Sequence, residues 1–198
     1  MASYKIGFVG AGKMASAIIK GLIKTGFAKP EELIATQAEK DLLEEKSKIL
    51  GIKVISDNKE LAQSAETVFI ATKPNQVADV LAEISAYINS EKLVVSIAAG
   101  VTTEKLEAGL PSGTRVIRVM PNTPALVGEG MSGMVGGKNA KKEDLEFIKE
   151  LLSTIGKCIV VDNEAQIDIV TAISGSGPAF FYKVINEIAK AGEKLGLD

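Results

Sequence analysis

YKIGFVGAGKMASAIIKG, residues Tyr4 to Gly21, decides how the rest of the chain is read. Ile6, Phe8 and Val9 form a short apolar run around Gly7, which reads as a buried strand. Gly10-Ala11-Gly12 breaks that run. Met14, Ile18 and Leu22 then recur every four residues, and Ala15, Ile19 and Ile23 widen the stripe, so a helix starts here. Gly10, Gly12 and Ala15 stand at the G-x-G-x-x-A spacing of a dinucleotide-binding turn, with Lys13 and Met14 inside it. Gly10 permits the tight turn, Gly12 lets the backbone approach a pyrophosphate, and Ala15 lets the helix lie close to the strand. The first turn of such a helix leaves N–H groups unpaired, and its dipole favours an anion. The same glycines could mark an ordinary strand–turn–helix. The strand before them and the helix after them supply the context a nucleotide site requires.

The composition fits a globular protein: 46% hydrophobic and 24% charged residues over 198 positions, enough for one large domain or one domain and part of another. A net charge of −2 with scattered Lys and Arg gives no nucleic-acid footprint, so no nucleic-acid partner is expected. No apolar run approaches the ~20 residues that span a bilayer, so no membrane partner is expected either. The opening MASYKIGFVG runs into the first strand and is expected to hold no signal peptide. A single cysteine, Cys158, suits a reducing, cytoplasmic setting, and it reads as a small apolar residue rather than a reactive thiol. The chain has no histidine. That removes His-based metal sites, Ser-His-Asp machinery and the usual imidazole acid/base, and no metal is expected. Reduction of a ketone often needs such a group, whereas a protonated imine is already an electrophile.

Beyond the first helix, strands and helices alternate. Leu33 to Thr36 is a second strand, and its end bears on the cofactor. NAD-preferring sites place an acidic residue there, about 20 residues past the glycines. Here the strand ends in Ala35-Thr36-Gln37, while Glu31 and Glu32 precede it. A neutral end with Lys40 nearby tolerates a 2′-phosphate and favours NADP over NAD, although Glu39 stands close by. Lys40 to Leu50 reads as a helix with Leu42, Leu43, Ile49 and Leu50 inward. Ile52 to Ile55 follows as a strand, and a short helix begins at Asp57-Asn58. Thr67 to Ala71, Leu93 to Ile97 and Val116 to Met120 are apolar strands suited to burial on both faces. They end in the turns Thr72-Lys73-Pro74-Asn75, Ala98-Ala99-Gly100 and Pro121-Asn122-Thr123-Pro124.

This alternation predicts an α/β fold with a doubly wound, mostly parallel sheet, whose ligands bind beyond the carboxyl ends of the strands. The small residues Ala98, Ala99 and Gly100 suit a nicotinamide ring against backbone, or simply a tight turn. Two prolines stiffen the 121–124 loop, so Asn122 and Thr123 are offered at fixed places. Met131 to Val135, a helix with Leu145, Ile148, Leu152 and Ile155 inward, and Cys158 to Val161 extend the same domain. A boundary falls near Asp162–Gln166, giving domains 1–163 and 164–198. Ala165 to Ile173 is a short helix, Ser174-Gly175-Ser176-Gly177-Pro178 reads as a hinge, and Ala179 to Leu195 is a last helix. Phe180, Phe181, Val184, Ile185, Ile188, Ala191 and Leu195 cover much of that helix, so a partner chain or a following helical segment is expected to cover it.

Together GFVGAGKMASAI, ATKPNQ, VVSIAAGV, RVMPNTPALVGEG and ISGSGPAFF, in this order and spacing, resemble the pyrroline-5-carboxylate reductase family across the whole chain. The resemblance implies a Rossmann-type domain followed by the start of an all-helical dimerisation domain, and a homodimer or higher homo-oligomer through the C-terminal helices. It implies NADPH-dependent reduction of the cyclic imine 1-pyrroline-5-carboxylate to L-proline, the last step of proline synthesis, with NADH also accepted. By matching positions, Gly10, Ala11, Gly12, Lys13, Met14 and Ala15 form the pyrophosphate loop. Thr36 and Gln37 lie where the 2′-phosphate is read. Asn58 in SDNKE contacts cofactor, as do Ala71, Thr72, Lys73, Pro74, Ala98, Ala99 and Gly100. Asn122 and Thr123 are substrate-side candidates, and no residue is assigned as general acid. Lys73 and Arg118 are the charged groups at this edge, with solvated or structural charge as the competing reading. The family's Gly- and Thr-rich carboxylate-holding segment has no counterpart in residues 1–198, so cofactor binding is expected of this chain and turnover of a longer gene product. Two alternatives stay open: a reductase of the hydroxy-acid dehydrogenase type, and an NAD(P)-binding module without chemistry.

Overall fold

A computed structural model describes residues 4–197; Met1–Ser3, part of the opening stretch read for a signal peptide, and Asp198 lie outside the described residues. β1 (Tyr4–Val9) leads into α1 (Lys13–Lys24) through the glycine turn. Ile18, Ile19 and Leu22 of α1 are fully buried against the sheet, and each such side chain contributes roughly 1.5–3 kcal/mol. The chain continues through β2 (Leu33–Thr36), α2 (Leu43–Leu50), β3 (Lys53–Ile55), α3 (Asn58–Ser64), β4 (Ala65–Ile70), α4 (Val77–Ile84), β5 (Leu93–Ser96) and α5 (Thr103–Ala108). β6 (Arg115–Met120), β7 (Gly130–Gly136), α6 (Lys142–Ser153) and β8 (Gly156–Val160) complete one eight-stranded sheet in the order β3-β2-β1-β4-β5-β6-β7-β8. Apolar clusters cover both faces of the sheet, which explains why β1, β4 and β5 are apolar without alternation.

The order reverses between β1 and β4. Both pair in parallel, with Val9 opposite Ile70, and Ile70 lies opposite Ser96 of β5. Ala71 N–H donates to the Val9 carbonyl at 2.9 Å and Ile97 N–H to the Ile70 carbonyl at 3.1 Å. The ends of β1, β4 and β5 are therefore level, and their loops form one edge.

The sheet is parallel except at β7, which runs antiparallel to β6, with Val119 opposite Met134, so the expected mostly parallel sheet is found. Residues 121–129 separate the two strands, too few for the dozen or more that a parallel crossover needs. The expected helix Lys40–Leu50 divides into a 3-10 turn, Lys40–Leu42, and α2. Of the residues expected inward, Leu42 and Ile49 are exposed, Leu43 is half-buried, and Leu50 is the buried residue of α2. The expected hinge at Ser174–Pro178 is instead helical. α7 (Glu164–Val170) passes through a π-helical turn, Thr171–Gly175, into α8 (Gly177–Lys194). Ser176 N–H donates to the Thr171 carbonyl at 3.0 Å, the wider i→i+5 bond that lets the glycines remain helical. Pro178 falls in the first turn of α8, where its missing N–H removes no helical bond. Phe180, Phe181, Val184, Ile185 and Ile188 of α8 are exposed in the isolated chain.

Candidate functional site

The turn after β1 has the geometry its residues predict. Gly10 sits at φ +99°, and a Cβ there would lie 3.0 Å from the Ala71 carbonyl oxygen, so neither the conformation nor the space suits a larger residue. Its N–H donates to Thr36 Oγ1 at 3.1 Å, which locks the glycine turn to the end of β2. Gly12 caps α1 with no side-chain hydrogen bond at that N-terminus, and a Cβ on it would meet nothing within 4 Å. Open space in front of a helix N-terminus is what an anionic diphosphate requires. Ala11 and Ala15 are buried in the core, so both act by bringing helix and strand close together rather than by facing the site. Lys13 is exposed and Met14 half-buried at the start of α1.

Beside this turn lies a cavity of about 250 Å³. It brings together Gly10, Thr36, Asn58 and Thr72, from four separate sequence segments expected to touch a cofactor. Asn58 is oriented by Glu83 of α4, which accepts from its Nδ2 at 2.8 Å. Thr72 Oγ1 is buried and has no hydrogen-bond partner among the described residues. A buried hydroxyl left unpaired costs about 1–3 kcal/mol, and a ligand's polar group in the cavity would recover that cost. Gln37 stands just outside. Its N–H donates to the Ile55 carbonyl at 2.9 Å, and its side-chain amide donates to Glu39.

The other expected cofactor turns lie along the same edge. Ala71 is half-buried, and Lys73 and Pro74 are exposed, with Lys73 N–H donating to Gln76 Oε1 at 3.3 Å. Ala98 is buried, Ala99 and Gly100 are exposed, and Gly100 has φ +73°. Sequence reasoning missed Ala38, Ser56, Gln76, Asp79 and Glu83, which also line the cavity. Gln76, Asp79 and Glu83 are spaced three and four apart where α4 faces the pocket, and that periodicity was the available signal. Ser96 was missed too. It is fully buried, and its Oγ accepts from Ala98 N–H at 3.2 Å, shaping the 98–100 turn.

Of the two expected substrate-side residues, Asn122 has its amide engaged at both ends. Its Nδ2 donates to the Ser174 carbonyl and Oγ, each at 3.2 Å, and its Oδ1 accepts from Met131 N–H at 2.8 Å. Asn122 thus ties the 121–124 loop to β7 and to the helical segment. Thr123 is exposed, with Oγ1 at 3.4 Å from Tyr182 Oη of α8. Arg118 is not an open charge at this edge. It is buried in β6, pairing through one nitrogen with Glu164 and through another with Asp168 at 3.0 Å. A charge so buried costs several kcal/mol unless it is paired, so the structural reading of Arg118 holds. Cys158 is buried, and desolvation pushes its thiol up to about 11, which leaves it protonated and unreactive at neutral pH. Among the described residues no group of three or more His, Cys, Asp or Glu is placed to hold a metal, and no helix is long and apolar enough to cross a membrane.

Comparison with known proteins agrees with this geometry. Residues 5–100 match the family described as NADP oxidoreductase coenzyme F420-dependent, and residues 164–198 match the family described as pyrroline-5-carboxylate reductase dimerisation. The chain is 43% identical over 198 residues to a pyrroline-5-carboxylate reductase of Methanosarcina acetivorans, covering all of this chain and 73% of that protein. It is 43% identical over 196 residues to that of Haemophilus influenzae, covering 98% and 70%. Among solved structures, a pyrroline-5-carboxylate reductase from Coxiella burnetii superposes with a TM-score of 0.88 at 33% identity, covering 99% of this chain and 73% of that one. The pyrroline carboxylate reductase of Plasmodium falciparum, solved with NADP bound, also gives 0.88, at 35% identity over 100% and 72%. Prephenate dehydrogenase from A. aeolicus shares the fold alone, at 13% identity and a TM-score of 0.71. With a dinucleotide-type turn at one end, a matching helical segment at the other and relatives above 40% identity along its whole length, the chain belongs to the pyrroline-5-carboxylate reductase family.

Proposed function

We propose that this protein reduces 1-pyrroline-5-carboxylate to L-proline with NADPH, completing proline synthesis. The observation that carries the reading is the pocket at the β1–β4 switch point, where a helix N-terminus that no side chain caps adjoins a buried, unpaired Thr72 hydroxyl. In a family of imine reductases, that is the place for the cofactor.

When bound, the nicotinamide supplies the hydride that reduces the imine carbon. The chain's own groups hold and orient. The backbone of Gly10–Ala15 and the amides of the first α1 turn would hold the diphosphate. Thr72 Oγ1 would bond a polar group of the nucleotide. Asp79 and Glu83, with Asn58 beside them, would offer acceptors to its adenosine half. Thr36 accepts from Gly10, and it and Gln37 would stand at the 2′-phosphate end. Lys73, Pro74 and the Ala98–Gly100 turn bound the nicotinamide end. Thr123 faces the substrate side, and Asn122 keeps its loop in place. Rate comes mainly from holding two reactants at near-attack distance. No side chain here is needed as an acid, because a protonated imine accepts hydride directly. NADH serves as a weaker substitute donor.

Residues 1–163 form the cofactor domain, and 164–198 begin a helical domain through which copies of the chain pair. A single buried Cys158 with no disulfide partner suits the cytoplasm. The test is absorbance at 340 nm: with NADPH and 1-pyrroline-5-carboxylate the signal falls and L-proline accumulates one for one. Retained NADPH binding without proline formation would reduce the reading to a cofactor-binding module. Turnover of a hydroxy acid's ketone instead would replace the substrate.

A further inference from the structure

The cofactor reading leaves one buried charged cluster without a role beyond stability. Arg118 lies opposite Ser96 in the β5–β6 pairing, and Ser96 is the residue that shapes the 98–100 turn. The guanidinium of Arg118 pairs with Glu164, the first residue of α7, and with Asp168 one turn later at 3.0 Å. Glu164 is not spent on this pair. Its Oε2 accepts from Thr103 Oγ1 at 2.7 Å, and its Oε1 from Thr103 N–H at 3.4 Å. Thr103 opens α5, three residues after Gly100. One carboxylate on the helical segment therefore fastens β6 to the far end of the turn that bounds the nicotinamide.

We infer that Glu164, aimed by Arg118, is a positioning residue for the nicotinamide half of the cofactor, acting through Thr103 on the 98–103 turn. The inference rests on the cofactor reading above. Its physical content is a division of labour. The adenosine half is held by Gly10, Thr36, Asn58 and Thr72, none of which hydrogen-bonds to Glu164. The nicotinamide half rests on a short exposed turn with a left-handed glycine, and such a turn keeps one conformation only if both its ends are fixed. Ser96 fixes the entry and Glu164 the exit. Because Glu164 belongs to the segment that matches the dimerisation family, a shift of that segment would move the turn.

The experiment measures the affinity of the whole chain for two probes. NADPH spans both halves of the site, and 2′,5′-ADP occupies only the adenosine half. Glu164→Ala and Thr103→Val are each expected to weaken NADPH about 10-fold. They should leave 2′,5′-ADP within about twofold. Glu164→Gln is expected to stay within about threefold of wild type for both probes. Its Oε1 still accepts from Arg118, and its Nε2 donates to Thr103 Oγ1 in place of the accepted bond. A purely structural staple would weaken both probes together or neither, and either result in Glu164→Ala and Thr103→Val overturns the inference. Wild-type chain that binds neither probe would overturn the cofactor reading, and this inference with it. Wild type that binds both, with the two probes moving in step in the variants, sinks this inference alone.

Discussion

At the scale of single residues, two glycines two positions apart, Gly10 and Gly12, carry different physics. Gly10 is required by conformation, at φ +99°, and by contact with the Ala71 carbonyl. Gly12 is required by neither: its backbone is extended, and a side chain there meets nothing within 4 Å. On the proposed function, its smallness serves the diphosphate. Gly12→Val is therefore expected to fold, losing about 1 kcal/mol as a poorer helix cap, while NADPH binding weakens by about 100-fold or more. Thermal unfolding and fluorescence titration check the two halves of this statement. Unchanged affinity would remove the diphosphate from the glycine turn. The motif was legible in sequence because each small residue has a separate steric reason. Asn122 was legible as a fixed polar group, but not as a bracket, because Ser174 lies far along the chain and only folding brings it within reach.

At the scale of elements, the β7–β8 pair shows what local pattern could not supply. The two strands run parallel, with Gly130 opposite Gly156. Gly156 has φ +145°, and a Cβ on it would overlap the Gly130 backbone. Gly156→Ala must strain a left-handed backbone and push two strands apart, so it is expected to cost on the order of 3 kcal/mol or more. That lowers the melting temperature by roughly 6–12 °C for a chain of this size. Calorimetry reads it directly, and a variant as stable as wild type would mean the strands re-register without strain. Sequence periodicity placed both strands. The direction of β7 depended on the length of the loop before it, and the helical run through Ser174–Pro178 on an i→i+5 bond that glycine-rich composition disguises as a hinge.

At the scale of the molecule, α8 leaves Phe180, Phe181, Val184, Ile185 and Ile188 facing solvent in one chain. Burying each would contribute roughly 1.5–3 kcal/mol, so a lone chain forfeits more than most interfaces need. Sedimentation at tens of micromolar is expected to give at least two chains per particle. Phe181→Glu with Ile188→Glu should shift it to one chain with the Rossmann-type domain still folded, since neither side chain is in that domain's core. Wild type that remains a single chain at every concentration would contradict the role given to this helix.

The amino-acid order by itself determined the alternating strands and helices, the glycine turn and the edge where the strand-end loops gather, because period, turn chemistry and sheet topology are local or near-local consequences of side-chain shape. The tertiary structure alone decided that Arg118 is a buried tie rather than an open charge, and that Thr72 keeps an unpaired hydroxyl inside the pocket. Those facts depend on which distant segments meet and on what water is excluded from between them, and no spacing along the chain records either.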